Sequence, residues 1–127
     1  MAQAWDTGMQ GEDLAAGLLE AKGYTVLDRN YRFERAEIDI VALRQEPAEL
    51  VFAEVKTRTG DYKTWPEESV TDAKKRRIFK AADAYLYEKR LLTVPVRFDI
   101  IAINFTPGGE PLIHHIEDAF RMDGTMW

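Results

Sequence analysis

Cysteine does not occur in this 127-residue chain. Its absence excludes a disulfide framework and any thiolate metal centre, and it suits a reducing compartment. Nor is there an apolar run of the roughly twenty residues that a membrane-spanning helix needs. No basic lead-in precedes Asp6 and Glu12, so the N-terminus does not read as a secretory signal. The expectation is a cytoplasmic protein with no membrane partner. A surplus of positive charge is missing as well, since 17 Lys and Arg stand against 22 Asp and Glu, for a net charge of -5 and a pI near 5.1. Nucleic-acid binders usually carry a basic surface, so this average argues against a broad phosphate-binding footprint. It conceals a local excess, because Lys74, Lys75, Arg76, Arg77 and Lys80 fall in one segment. Internal repeats, low-complexity tracts and linkers are absent too. A length of 127 residues, 46% of them hydrophobic, fits one domain over 1–127 with a core of its own.

The chain is organised around Glu37 to Lys56. Glu-Ile-Asp-Ile-Val-Ala-Leu and Leu-Val-Phe-Ala-Glu-Val-Lys both alternate with period two and are rich in β-branched residues, and a polar break from Arg44 to Glu49 separates them. This pattern predicts an antiparallel hairpin. Side chains two apart on a strand share a face, which groups Glu37 with Asp39 and Glu54 with Lys56. The other face of the second strand is Val51, Ala53 and Val55, so its charged end lies beside a core. Buried charge is costly unless it is paired or binds a metal.

Three carboxylates and a lysine on one sheet face suit a hard cation. Mg²⁺ takes oxygen ligands, keeps several waters, and binds through one or two carboxylates plus substrate phosphate. Asp39, Glu54 and Glu37 are the candidate ligands, with Mg²⁺ or Mn²⁺ as the cofactor. Lys56, two residues beyond Glu54, could steady or deprotonate an attacking water or neutralise charge on a scissile phosphate. A simple Lys-Glu ion pair on a solvated face is the competing reading.

The flanking segments complete an α/β order. Leu14, Ala15, Leu18 and Leu19 recur at helical spacing, which predicts a helix from about Gly8, with Thr7 and Gln10 as a capping box, to Lys22, closed by Gly23. Glu12 falls beside its sheet-facing stripe, where a first-turn acid also suits the helix dipole. Tyr24 to Asp28 reads as a strand leading through Arg29, Arg32 and Phe33, and these arginines with Arg35 are either a phosphate-contacting strip or a solvated edge. Thr57 to Glu68 reads as a loop in which Tyr62, Lys63 and Trp65 offer stacking and charge, with Arg58 continuing the face of Glu54 if the strand extends that far. A second helix is predicted from Thr71 or Asp72 to about Arg90, burying Ile78, Ala81, Ala82, Tyr85 and Leu86 and carrying Lys74 on the same stripe. Val96 to Asn104 should form a strand paired in parallel through a right-handed crossover, and Leu112 to Ile116 a short last strand, with Ala119 and Phe120 packing the tail. Asp99 reads as a structural partner of Arg97. His114 and His115 are adjacent, so they point apart on a strand and read as structural.

Asp, then Glu-x-Lys across a hairpin, resembles the PD-(D/E)XK nuclease superfamily. Gly11-Glu12, Arg29-Asn30-Tyr31-Arg32, Glu37-Ile38-Asp39, Val51 to Lys56, Lys74 and Arg97-Phe98-Asp99 together resemble the YraN-like uncharacterised family over about residues 8 to 104. Ala36 stands where that family has Gly, and Trp65 sits where Gly is expected. The resemblance implies a restriction-endonuclease-like fold, a mixed central sheet flanked by helices. It is also similar to Holliday-junction resolvases, which implies a site of Glu12, Asp39, Glu54 and Lys56 with Glu37 in support. Lys74, Arg77, Arg32 and Arg58 are the candidate nucleic-acid contacts. The expected activity is metal-dependent endonucleolytic hydrolysis of DNA phosphodiesters, selective for branched or otherwise structured DNA rather than for sequence, and it leaves a homodimer open. The alternative is a non-catalytic module that binds nucleic acid or protein through the same face.

Overall fold

A computed structural model of the chain describes residues 4–60 and 70–121, the first four of them by backbone alone. The elements run α1 (Ala4–Ala21), β1 (Thr25–Phe33), β2 (Ala36–Gln45), β3 (Ala48–Thr59), α2 (Asp72–Glu88), β4 (Val96–Phe105) and β5 (Leu112–Phe120). One mixed sheet has the strand order β1-β2-β3-β4-β5, and every pair is antiparallel except β3 with β4. The α/β order expected from the sequence is therefore the one observed. A parallel pair needs a long connection back to the same edge, and α2 lies within it.

β3 and β4 lie inside the sheet and are apolar on both faces. Leu50, Phe52, Phe98 and Ile100 meet Ile78, Phe79, Ala82 and Tyr85 of α2 on one side. Val51, Ala53, Ile101 and Ile103 meet Ala15, Ala16 and Leu19 of α1 on the other. Two covered faces explain why these strands read as nearly continuous apolar runs. α1 ends at Gly23, whose φ of 95° lets its N–H donate to Glu20 O at 3.0 Å while Tyr24 N–H donates to Leu19 O at 3.0 Å. Near its other end Gly11 lies against β3, where an added Cβ would stand 2.1 Å from Thr57 Cγ2.

Several boundaries differ from the sequence expectation, each for a physical reason. α1 begins at Ala4, a turn before Gly8, so Thr7 is inside the helix rather than at its cap. The break from Arg44 to Glu49 contracts to Glu46 and Pro47, joined by a cis peptide, because Arg44 pairs opposite Glu49 and its guanidinium reaches that carboxylate at 2.8 Å. β3 continues to Thr59, which brings Arg58 into the strand. β5 extends past Ile116 to Phe120 through an irregularity opposite Asp99, where Asp118, with φ 56°, donates its N–H to Asp99 Oδ1 at 3.0 Å. Ala119 and Phe120 are thus strand residues, and Phe120 stacks on Phe98 at 5.4 Å. Tyr62, Lys63 and Trp65 lie outside the described residues, as does the tail from Asp123 to Trp127. Among the described residues no helix is long and apolar enough to cross a membrane.

Candidate functional site

The last recorded pairing between β2 and β3 on the side away from their turn is Ile40 opposite Ala53. One step further stand Asp39 and Glu54, where the ladder stops and Val55 N–H donates instead to Asp39 Oδ2 at 2.7 Å. β2 also ceases to alternate there. Ile38 and Val41, three residues apart, both pack toward α2, whereas Ile40 packs toward α1. On β1 the pairing passes from Arg29 opposite Ile40 to Tyr31 opposite Ile38, with Asn30 between them at a φ of 55°. A local departure of both strands from strict alternation accompanies the placement of the Asp39 carboxyl against β3.

Glu54 is buried, with 6% of its surface exposed, at a point where β3 still has core on both sides. The first turn of α2 approaches from above it. Thr71 caps this helix by accepting from Lys74 N–H at 3.2 Å, and the Lys74 ammonium lies 3.2 Å from Glu54 Oε2. That approach is off the hydrogen-bonding direction, so Glu54 Oε2 gains charge neutralisation but accepts no donated proton. Lys56, two residues along the same face of β3, is half-buried and its amine neighbours that of Lys74. Asp39, Glu54 and Lys74 line a cavity of 190 Å³ together with Glu37, Arg35 and Arg77.

The titration of these groups follows from crowding. Burial pushes the Asp39 carboxyl up to about 8, reinforced by its hydrogen bond to Glu54 and by the Glu54 and Glu12 charges, and opposed by the Val55 N–H. Asp39 therefore keeps its proton near neutral pH. Burial lowers the Lys56 amine, as does the adjoining Lys74 amine, against the pull of Glu54 and Asp39. Lys74 moves the other way; burial lowers it, but the Lys56 amine and the carboxylates together hold it above the ordinary lysine value. One lysine is thus kept charged beside Glu54 while its neighbour is made easier to deprotonate.

The four residues Asp39, Glu54, Lys56 and Lys74 are brought together, but two expected members stand apart. Glu37 lines the cavity, yet its carboxylate accepts from Arg32 Nε at 2.9 Å. Glu12 reaches Asp39 through its charge, while its Oε1 accepts from Arg29 Nη2 at 3.3 Å and from Asn30 Nδ2 at 3.2 Å. Among the described residues no cluster of three or more Asp, Glu or His side chains is poised around one cation position. Two carboxylates do fit such an ion. Glu54 is buried and Asp39 half-buried against it, crowding keeps a proton on Asp39, and Glu54 has an oxygen with no hydrogen-bond donor. A Mg²⁺ ion that keeps several waters asks for no more than that from the protein.

Of the expected nucleic-acid contacts, Lys74 and Arg77 line this cavity and Arg32 lines a neighbouring one, while Arg58 sits further along β3. Asn30, which orients Glu12, has no periodic signal; only its tolerance of left-handed backbone suggests its place. Asp99 is completely buried and accepts from Arg97 Nε and Nη2, both at 2.8 Å. Burial would raise Asp99, but His115, Arg97 and the Asp118 N–H outweigh it and hold the carboxyl below its ordinary value. Lys22 Nζ donates to His115 Nδ1 at 2.7 Å, so His115 Nε2–H donates to Asp99 at 2.7 Å. Asp99 and His115 are structural, as their sequence context suggested.

The chain is similar to UPF0102 proteins of several bacteria. It is 44% identical to that of Syntrophotalea carbinolica over 96% of this chain and 97% of the relative. Against that of Geobacter sulfurreducens the identity is 47% over 91% of this chain and 88% of the relative. Against that of Clostridium perfringens it is 41%, covering 91% and 93%. The family model matches residues 11–103, from the glycine that seats α1 on β3 to within two residues of the end of β4. On both grounds this chain belongs to the Uncharacterised protein family UPF0102.

Proposed function

We propose that the chain is a metal-dependent hydrolase of DNA phosphodiesters, a nuclease of the PD-(D/E)XK kind that selects DNA by structure. The observation that carries this reading is a crowded pair, half-buried Asp39 and buried Glu54, next to two lysines held in different states. A structural ion pair would need one acid and one base. Two acids crowded to the point that one keeps its proton are better explained by a cation position. Asp39 and Glu54 would hold Mg²⁺ or Mn²⁺, which when bound supplies Lewis acidity at the phosphate and lowers the pKa of a water.

The chain's own groups cover the rest. Lys56, whose amine burial makes easier to deprotonate, would take the proton of the attacking water as the water oxygen bonds to phosphorus, and the leaving oxygen would depart with the bonding pair and be protonated from solvent. Lys74 remains charged beside Glu54 and would face the negative charge that grows on the phosphate. Arg35 and Arg77 line the same cavity and hold the flanking phosphates. Glu12 and Glu37 contribute field and orientation through their arginine partners.

Cleavage of labelled branched, flapped and single-stranded DNA in Mg²⁺, Mn²⁺, Ca²⁺ and EDTA, with Glu54→Ala as control, tests this reading. Metal-dependent cleavage absent from the control supports it. Binding without cleavage in any metal favours a non-catalytic module, in which Lys74 and Glu54 are no more than an ion pair.

A further inference from the structure

The cavity at Asp39 and Glu54 is one end of a longer groove. It shares Arg35, Ala36 and Arg77 with a second cavity of 500 Å³, which in turn shares Phe33 and Lys80 with a third of 690 Å³. The groove runs between the β1–β2 hairpin and α2, and its character changes along its length. The middle cavity presents Arg35, Arg77 and Lys80 against the single acid Glu34. Arg77 and Lys80 follow Lys74 at steps of three, which sets them in succession along one side of α2. None of Arg35, Arg77 and Lys80 has a carboxylate partner among the described residues. The far cavity is aromatic, with Tyr31, Phe33 and Tyr87, and its charges balance, Asp83 and Glu88 against Arg32 and Lys80. Tyr87 is 77% exposed, the most exposed large hydrophobic side chain among the described residues.

We propose that this groove holds an unpaired strand of DNA that leads to the Asp39–Glu54 site, with its phosphates on Arg35, Arg77 and Lys80 and a base stacked on Tyr87. The inference rests on the hydrolytic reading above and specifies its substrate as DNA with a single-stranded segment next to the scissile bond. Three features select an unpaired strand over a duplex. Aromatic faces can stack on bases only where the bases are free of a partner strand. The cations form one line, matching one backbone, and the chain's net charge of -5 provides no broad basic surface for two. At the aromatic end Asp83 and Glu88 offset Arg32 and Lys80, so that end has no surplus of positive charge and receives bases while the backbone stays with the cations of the middle cavity.

Binding of fluorescein-labelled oligothymidylate and of a length-matched duplex, followed by anisotropy in Ca²⁺, separates the possibilities. Parent protein should prefer oligothymidylate. Tyr87→Ala should weaken that binding about tenfold and leave the duplex within about twofold, since one stacked base is lost. Arg77→Ala with Lys80→Ala should lower the single-strand salt slope by about 1.4, at about 0.7 per phosphate contact. Tyr87 is exposed, and an unchanged melting temperature confirms that its variant is folded. A parent with no preference for oligothymidylate, or a Tyr87→Ala variant that binds it as the parent does, overturns the inference and gives the groove to a different occupant. Cleavage with an inert Tyr87 would defeat the groove and leave the hydrolytic reading standing. Single-strand binding through Tyr87 without cleavage in any metal would do the reverse.

Discussion

Asp39→Asn replaces a carboxyl that already holds its proton near neutral pH with a neutral isostere, so it isolates what ionisation there costs. Asp39 has a folded pKa of about 8 against an ordinary value of 3.8. A carboxyl raised in this way contributes stability that is fully present below its unfolded pKa and is lost as pH rises through the folded one. The parent in EDTA should therefore lose stability between about pH 4 and 8, and Asp39→Asn should lose less. Melting curves at several pH values check this, and parallel profiles for the two proteins would show that Asp39 does not titrate in that window. Lys56 makes a second prediction at the same scale. It supplies no ligand oxygen, so Lys56→Met should abolish cleavage while leaving calorimetric Mg²⁺ affinity largely intact. An equal loss of affinity would mean that its role is misassigned.

The two helices approach the site from opposite faces of the sheet, α2 through its first turn and α1 through Gly11 and Glu12, two turns in from its start. α2 is fixed there by Thr71, which accepts from the N–H of the same Lys74 whose ammonium meets Glu54. Thr71→Ala should cost about 1 kcal/mol, the usual value of a lost N-cap, and should lower activity more than a cap elsewhere would. Denaturant unfolding measures the first effect and steady-state cleavage the second. α1 is fixed by the close approach of Gly11 to Thr57. Gly11→Ala must displace one or the other and should destabilise by about 1 to 3 kcal/mol, the usual cost of overpacking, and denaturant unfolding reads this as well. Both helix positions could be read from apolar spacing, and so could the inward face of α2. The point at which β2 stops alternating could not, because Ile38 and Ile40 look alike to a period-two rule and only the packing shows that they face opposite ways.

For the molecule as a whole, the order of elements came from local pattern, whereas the roles of Glu12 and Glu37 depended on partners far away in the chain or across a turn. Arg29 and Asn30 claim Glu12, and Arg32 claims Glu37. Side-chain pairing of this kind has no periodicity, so sequence placed these acids near the site but could not show that arginines already engage them. Likewise the line of cations from Lys74 to Lys80 was visible as a charge run, but its alignment with Arg35 and the aromatic residues of the hairpin is a product of the fold. The central proposal is that Asp39 and Glu54 form a cation site maintained at the expense of stability in the metal-free protein. Melting the parent and Asp39→Asn in EDTA and in saturating Mg²⁺ tests this without knowledge of the natural substrate. Mg²⁺ at a hundredfold excess over its dissociation constant should stabilise the parent by roughly 2.7 kcal/mol, and the variant much less, with the variant at least as stable as the parent in EDTA. A parent that does not respond to metal, together with a clearly destabilised Asp39→Asn, would contradict the assignment.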